Sequence, residues 1–137
     1  FFIRISFLNL FATILQPTIM HYTLDKKEKY AVLKLHEQKL NTLISAELKS
    51  ELLILNSQGY IHIVLDLSDT QYCDSSGLSA ILVGNRICRN ANGNFIVTEI
   101  SDPVKKLINI SQLDSVLTIV PKIDEALAQI NKAAAVS

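Results

Sequence analysis

YIHIVLDL (residues 60–67) and DSSGLSAILV (residues 74–83) determine the predicted fold of this chain. The first segment is almost entirely apolar, which is typical of a central parallel strand that is covered on both faces. The second segment begins with polar residues and continues with apolar residues at helical spacing. We therefore predict a strand-to-helix junction at Asp74-Ser75-Ser76-Gly77.

The junction supplies two hydroxyls and a carboxylate at the start of a helix. Side-chain oxygens are preferred there because they accept hydrogen bonds from the unpaired amides of the first helical turn. The same position carries the positive end of the helix dipole and accommodates an anion. A serine there can cap the helix, attack an electrophile or accept a phosphoryl group, and the junction alone leaves all three roles open.

Strand and helix patterns alternate along the rest of the chain. Strands are predicted at 30–35, 60–67, 95–98 and within 113–120, with an edge strand in 22–29. Helices are predicted at 41–56, from the junction to 90, at 104–110 and from near Ile123 onward. Apolar residues at helical spacing in the first helix are Leu40, Leu43, Ile44, Leu48, Leu52 and Leu55. The alternation predicts an α/β fold with a small mixed, mainly parallel sheet of four to five strands and about four helices.

The length of 137 residues suits one domain, which we assign to residues 20–132, with a frayed tail at 133–137. Residues 1–19 are largely apolar, carry Arg4 as their one charge and precede the first methionine, Met20. They are shorter than the about 20 apolar residues that span a bilayer, and no signal-cleavage pattern follows them. We interpret them as an upstream extension of the reading frame that is not native, with a membrane anchor or a peripheral packing element as alternatives. Residues 20–137 are expected to have no membrane contact.

Charge and cysteine content argue against several classes of function. Thirteen basic and thirteen acidic residues give zero net charge, which argues against direct nucleic-acid binding. Cys73 and Cys88 have no CxxC spacing and no nearby histidine cluster, so we predict buried, reduced thiols in a cytoplasmic protein and no metal site. Neither Gly-x-Gly-x-x-Gly nor the phosphate-loop pattern occurs, and no cofactor is expected.

A serine hydrolase is the enzymatic alternative, because a serine at a strand-to-helix turn resembles a nucleophile elbow. That motif requires glycine two positions before the serine, whereas Cys73 stands two positions before Ser75. A general base is also hard to find, because His21 and His36 lie near the amino-terminal strands and His62 lies inside a predicted strand. We therefore predict that the protein is not an enzyme.

The segments Ile63-Val-Leu-Asp-Leu-Ser68 and Tyr72-Cys-Asp-Ser-Ser-Gly-Leu78 resemble the STAS domain family, and within it the bacterial anti-sigma-factor antagonists. The resemblance extends over about residues 22–128 and includes the Gly93 turn, the Ser101-Asp102-Pro103-Val104 helix start and segment 111–114. One departure is visible. Many members have a Gly-x-Leu-Asp turn after the early strand, whereas this chain has His36-Glu-Gln-Lys-Leu-Asn41. We expect Leu40-Asn41 to supply the helix entry despite the missing glycine.

The resemblance implies a protein that binds an anti-sigma factor, itself a serine kinase that uses ATP, and thereby frees a sigma factor. By position in the family motif, Ser75 is the phosphate acceptor, and its phosphorylation switches the interaction off. The predicted partner-binding residues are those of the motif, Asp74, Ser75, Ser76 and Gly77, together with the exposed remainder of the helix, Ser79, Val83 and Arg86, which we expect to border the partner surface. We also predict that Ser76 caps the helix. The alternative is a non-enzymatic STAS subunit of a transporter or signalling assembly, without phosphorylation.

Overall fold

The computed structural model describes residues 20–136, and within that part of the chain seven strands and four helices occur. The strands are β1 (Tyr22–Lys26), β2 (Tyr30–Leu35), β3 (Lys39–Leu40), β4 (His62–Asp66), β5 (Tyr72–Cys73), β6 (Phe95–Thr98) and β7 (Thr118–Val120). The helices are α1 (Thr42–Ser57), α2 (Ser75–Asn90), α3 (Asp102–Ile110) and α4 (Ile123–Ala135). The extension predicted at 1–19 lies outside the described residues.

Five strands form one sheet in the order β1-β2-β4-β6-β7, with β4 at its centre. β1 pairs with β2 in the antiparallel sense, whereas β2, β4, β6 and β7 are parallel. The predicted mixed, mainly parallel sheet with four helices is therefore confirmed. β3 and β5 form a separate two-stranded parallel sheet that the sequence analysis did not predict, because strands of two residues carry no periodicity.

Both faces of β4 are buried, which explains its almost uninterrupted apolar sequence. Successive side chains of a strand point to opposite faces. Ile63 and Leu65 accordingly belong to the core that includes residues of α1, α2 and α3, whereas Val64 packs with Ile130 of α4. Three helices thus cover one face of the sheet and α4 covers the other. The carboxyl ends of the parallel strands meet at one end of the sheet, where α1 and α2 both follow.

Helix ends lie where the sequence places capping residues. The Asn41 side-chain oxygen accepts a hydrogen bond from the amide of Ile44 at 3.3 Å, so Leu40-Asn41 supplies the entry to α1 as predicted. Gly59 follows α1 with a φ of 97°, in the left-handed region that glycine favours. Ser101 caps α3, and a proline lies in the first turn, where its missing amide hydrogen has no helical partner anyway.

α4 continues to Ala135, beyond the expected start of the frayed tail at residue 133. Alanine has the highest helix propensity, and Ala134 is buried, so the final turn is stabilised by both local preference and packing. α4 follows β7 and ends where the parallel strands begin, since Ala134 and Ala135 line a cavity together with residues 27–30. No helix among residues 20–136 combines the length and apolar character needed to cross a membrane.

Substitution of two adjacent leucines tests the orientation of α1. Leu52 is 0% exposed and Leu53 is 52% exposed. We expect Leu52→Ala to lower the free energy of unfolding by about 2–5 kcal/mol, because a cavity remains in the core. Leu53→Ala should change it by less than about 0.5 kcal/mol. Urea denaturation followed by circular dichroism measures both values, and equal losses would contradict this orientation.

Candidate functional site at the start of helix α2

Asp74 is the N-cap of α2. Its backbone is extended, and its side-chain oxygen Oδ1 accepts a hydrogen bond from the amide of Gly77 at 3.0 Å. α2 therefore begins at Ser75, and the predicted strand-to-helix junction is confirmed. The capping interaction satisfies one of the amides that have no partner within the first turn of a helix.

Ser76 supports the cap and does not itself cap the helix, which corrects the predicted role. Its hydroxyl donates a hydrogen bond to Oδ1 of Asp74, the same atom that accepts from the Gly77 amide. The Ser76 oxygen also lies 3.4 Å from the hydroxyl oxygens of Thr42 and Ser45 in the first turn of α1. Ser76 is half-buried within this network of hydroxyls.

Ser75 occupies a different environment, although it adjoins Ser76 in sequence. It is the first residue of α2 and is exposed. Its hydroxyl forms no hydrogen bond with any residue in the range 20–136. The Ser76 hydroxyl is therefore held by hydrogen bonds, whereas the Ser75 hydroxyl forms none with the described residues.

The β3–β5 sheet brings the start of α2 against the start of α1. The carbonyl oxygen of Leu40 accepts a hydrogen bond from the amide of Asp74 at 3.2 Å. A Cβ atom on Gly77 would lie 2.6 Å from that oxygen and 2.5 Å from the sulfur of Cys73, so only glycine fits at this position. Gly77 is buried. It therefore adds no exposed side chain to the predicted partner-binding set, and its role is close packing.

Electrostatic interactions at the junction favour negative charge. The hydroxyl of Ser76, followed by the amide of Gly77, lowers the pKa of the Asp74 carboxyl below its usual value. The carboxylate is thus ionised at neutral pH next to the free hydroxyl of Ser75. The first turns of α1 and α2 meet here, and the positive ends of both helix dipoles accommodate an anion.

The other predicted binding residues lie along α2. Ser79, Val83 and Arg86 follow Ser75 by four, eight and eleven residues, which places them on the same side of the helix. Arg86 is exposed, whereas Ser79 and Val83 are half-buried. These three residues extend the candidate surface along the helix, away from the junction.

The three histidines interact with residues other than the two serines. Their ring nitrogens lie within hydrogen-bonding distance of other side chains: His21 with Glu37 at 2.8 Å, His36 with Asp69 at 2.8 Å and His62 with Asn94 at 3.2 Å. His62 is buried inside β4 as predicted, and burial, with a smaller effect of the Lys29 charge, lowers its pKa. These contacts give neither serine an adjacent histidine base.

Both cysteines are unpaired. Cys88 is buried, whereas Cys73 is only half-buried, in contrast to the expectation that both are buried. Burial raises the pKa of each thiol to about 12, with a smaller effect of the Asp74 charge on Cys73. Both side chains are therefore protonated at neutral pH and are poor nucleophiles.

Four residues around the junction were not among the predicted site residues. Thr42 and Ser45 lie at the site because α1 and α2 both follow the carboxyl ends of parallel strands. This topology follows from the predicted order of elements, so it could have indicated that the first turn of α1 lies next to that of α2. Leu43 was placed on the apolar stripe of α1, but it is 67% exposed. A rotation of about 100° per residue places it about 140° from Leu48 around the helix axis. The fourth, Tyr72, is 54% exposed, and no periodicity marks it.

The fold and the strand-to-helix junction at Asp74-Ser75-Ser76-Gly77 agree with membership of a known domain family. Residues 21–126 match the sequence model of the STAS domain family, and the chain belongs to this family. The matched range agrees with the resemblance found at about residues 22–128.

Comparison with individual proteins identifies relatives within the same class. The chain is 33% identical over 69 residues to the anti-sigma F factor antagonist of Paenibacillus polymyxa, a match that covers 50% of this chain and 59% of that relative. Solved structures that share the fold include the following two. An anti-sigma factor antagonist from Mycobacterium paratuberculosis has a TM-score of 0.72 at 18% identity, covering 84% of this chain and 97% of the other. The Bacillus cell fate determinant SpoIIAA in its phosphorylated form has a TM-score of 0.64 at 17% identity, covering 80% and 99%.

Substitution of Asp74 tests the cap and its charge. Asp74→Ala should lower the free energy of unfolding at pH 7 by about 0.5–2 kcal/mol, whereas Asp74→Asn should lose less, since asparagine also caps helices. The folded-state pKa of Asp74 is depressed, so its charge stabilises the protein above the unfolded-state pKa of about 3.9. This stabilisation is lost as the pH falls through the folded-state pKa. Urea denaturation should therefore show the difference between wild type and Asp74→Asn shrinking in acid; a pH-independent difference would contradict a charge effect.

Proposed function

We propose that this protein is an anti-sigma-factor antagonist that binds an anti-sigma serine kinase, releases a sigma factor, and is switched off by phosphorylation of Ser75. The observation that carries the proposal is the exposed hydroxyl of Ser75 at the first position of α2, which forms no hydrogen bond with residues 20–136. The name of the Paenibacillus polymyxa relative supports the antagonist role. A solved protein of the same fold is described in a phosphorylated form, which supports modification.

Selectivity for Ser75 over Ser76 follows from their different surroundings. The kinase transfers the γ-phosphoryl group of ATP to the Ser75 oxygen, ADP leaves, and the hydroxyl proton is released. Ser75 Oγ can enter a kinase active site without breaking a hydrogen bond in the described part of the chain. Ser76 is half-buried, and its hydroxyl would first have to leave Asp74 and weaken the cap of α2.

The added phosphate changes binding while the fold persists. Phosphoserine carries about 1.5–2 negative charges at neutral pH, next to the ionised Asp74. The positive ends of the α1 and α2 dipoles stabilise this charge within the protein. A partner surface that is complementary to a small hydroxyl beside one carboxylate would, in contrast, repel the added negative charge. Binding would also require the phosphate to be desolvated. Each 1.4 kcal/mol lost at the interface weakens binding about tenfold.

In this proposal, the protein acts in the cytoplasm as a binding switch and performs no catalysis of its own. ATP and the transferring active site belong to the kinase. The contacts of the three histidines with Glu37, Asp69 and Asn94 support this division, since a hydrolase would need a base within about 2.6–3.2 Å of its serine.

Intact-mass measurement tests the acceptor. Wild type, Ser75→Ala and Ser76→Ala are incubated with ATP and host extract shown to contain an active anti-sigma kinase. We expect one added phosphate on wild type and on Ser76→Ala and none on Ser75→Ala, because the Ser75 hydroxyl is exposed and forms no hydrogen bond with residues 20–136, whereas the Ser76 hydroxyl is bonded to Asp74. Circular dichroism verifies that each variant is folded. An unmodified wild type, or a phosphate that persists in Ser75→Ala, would overturn the assignment.

A charge substitution tests the binding switch. Ser75→Asp should remain folded by circular dichroism and lose its kinase partner in a pull-down, since it introduces a second carboxylate next to Asp74. Ser75→Ala should retain the kinase. Ser50→Asp adds the same charge at an exposed position of α1 remote from the motif in sequence and should bind like wild type. Retention of the kinase by Ser75→Asp would contradict the proposal that added negative charge at Ser75 abolishes binding.

A further inference from the structure

Three exposed side chains outside the Asp-Ser-Ser-Gly motif flank the start of α2. Leu43 and Tyr72 are 67% and 54% exposed, and Lys39 is exposed as well. We propose that these residues, here called the anchor surface, hold the kinase that phosphorylates Ser75 and determine which kinase binds. The inference rests on the proposed function and concerns affinity and specificity, which the acceptor serine alone does not supply.

The anchor surface is held in place by the small β3–β5 sheet. Lys39 pairs with Tyr72 in the register of that sheet. Leu43 directly follows Thr42, whose hydroxyl oxygen lies 3.4 Å from that of Ser76. The three side chains therefore come from elements that are fixed relative to the motif.

Two shallow cavities connect the anchor surface with the motif. One has a volume of about 300 Å³ and is lined by residues that include Lys39, Asn41 and Leu43. The other has a volume of about 160 Å³ and is lined by residues that include Lys39, Asn41, Tyr72 and Asp74. Two residues are common to both linings, so the cavities adjoin, and the second reaches the cap of α2.

A kinase that reaches Ser75 covers this surface. Tyr72 precedes Ser75 by three residues, and an extended chain of that length spans at most about 11 Å. A typical protein–protein interface buries about 800 Å² on each partner, which extends well beyond that distance. The serine hydroxyl offers little apolar area, whereas tyrosine is enriched among the residues that contribute most to binding.

Charge indicates the chemistry of the matching kinase surface. Lys39 forms no ion pair among residues 20–136, although three such pairs involving lysine or histidine occur there. A kinase with an apolar socket for Tyr72 and Leu43 and a carboxylate facing Lys39 would complement the anchor surface. This arrangement leaves Asp74 and Ser75 free to enter the active site.

Phosphorylation kinetics with matched variants test the inference. The probe is the anti-sigma serine kinase that the wild-type protein captures from host extract, identified by peptide mass and purified. Tyr72→Ala, Leu43→Ser and Lys39→Glu should each raise the half-saturating concentration at least tenfold, while the maximal rate and the modification of Ser75 stay unchanged. Tyr72→Phe, which keeps the ring, should stay within twofold of wild type. Leu53→Ser, at an exposed position of α1 ten residues from Leu43, should do the same.

The outcomes separate this inference from the proposed function. If wild type is phosphorylated and the three anchor variants match Leu53→Ser, the anchor surface is wrong and the Ser75 switch stands. If wild type neither captures a serine kinase nor gains a phosphate, both are wrong. Circular dichroism establishes folding of each variant, and three exposed positions are substituted independently so that one unfolded variant does not decide the result.

Discussion

The contact between the Leu40 carbonyl and the start of α2 is the constraint on which the site depends. That oxygen accepts a hydrogen bond from the Asp74 amide at 3.2 Å, and the missing side chain of Gly77 allows the close approach. Leu40 ends β3, just before the entry to α1, so one contact joins the beginnings of two helices. This contact holds the start of α2 beside the first turn of α1, where the Ser76 hydroxyl oxygen lies 3.4 Å from those of Thr42 and Ser45.

The adjacent residues Ser75 and Ser76 differ in what their side chains contribute to the structure. Asp74 and Ser76 form hydrogen bonds that maintain the helix start, whereas the Ser75 side chain takes part in none of them. A phosphate on Ser75 therefore disturbs no internal contact of its own hydroxyl. In the proposed switch, the change in binding would therefore come from what the partner surface contacts and not from a loss of hydrogen bonds within the domain.

Long-range contacts mark the limit of what the sequence predicts. The central strand, the entries to α1 and α3 and the order of the longer elements are confirmed because long apolar runs and capping residues are local signals. The predictions that Ser76 caps α2 and that Leu43 lies on the apolar stripe of α1 were wrong for physical reasons. Asp74 already occupies the capping position, and Leu43 lies on a different side of α1 from the core-facing leucines. The hydroxyls of Thr42 and Ser45 meet that of Ser76 across more than 30 residues, which no local pattern encodes.

The course of α4 also has a consequence for how the domain can be connected to other molecules. The helix carries the chain from the end of the sheet where the parallel strands finish, the end at which α2 also begins, to the end where the parallel strands begin. A fluorophore, a surface tether or another polypeptide joined after Ala135 would extend from the side opposite the proposed phosphorylation site, Ser75. A domain held through the end of α4 would therefore keep the start of α2 facing outward and accessible.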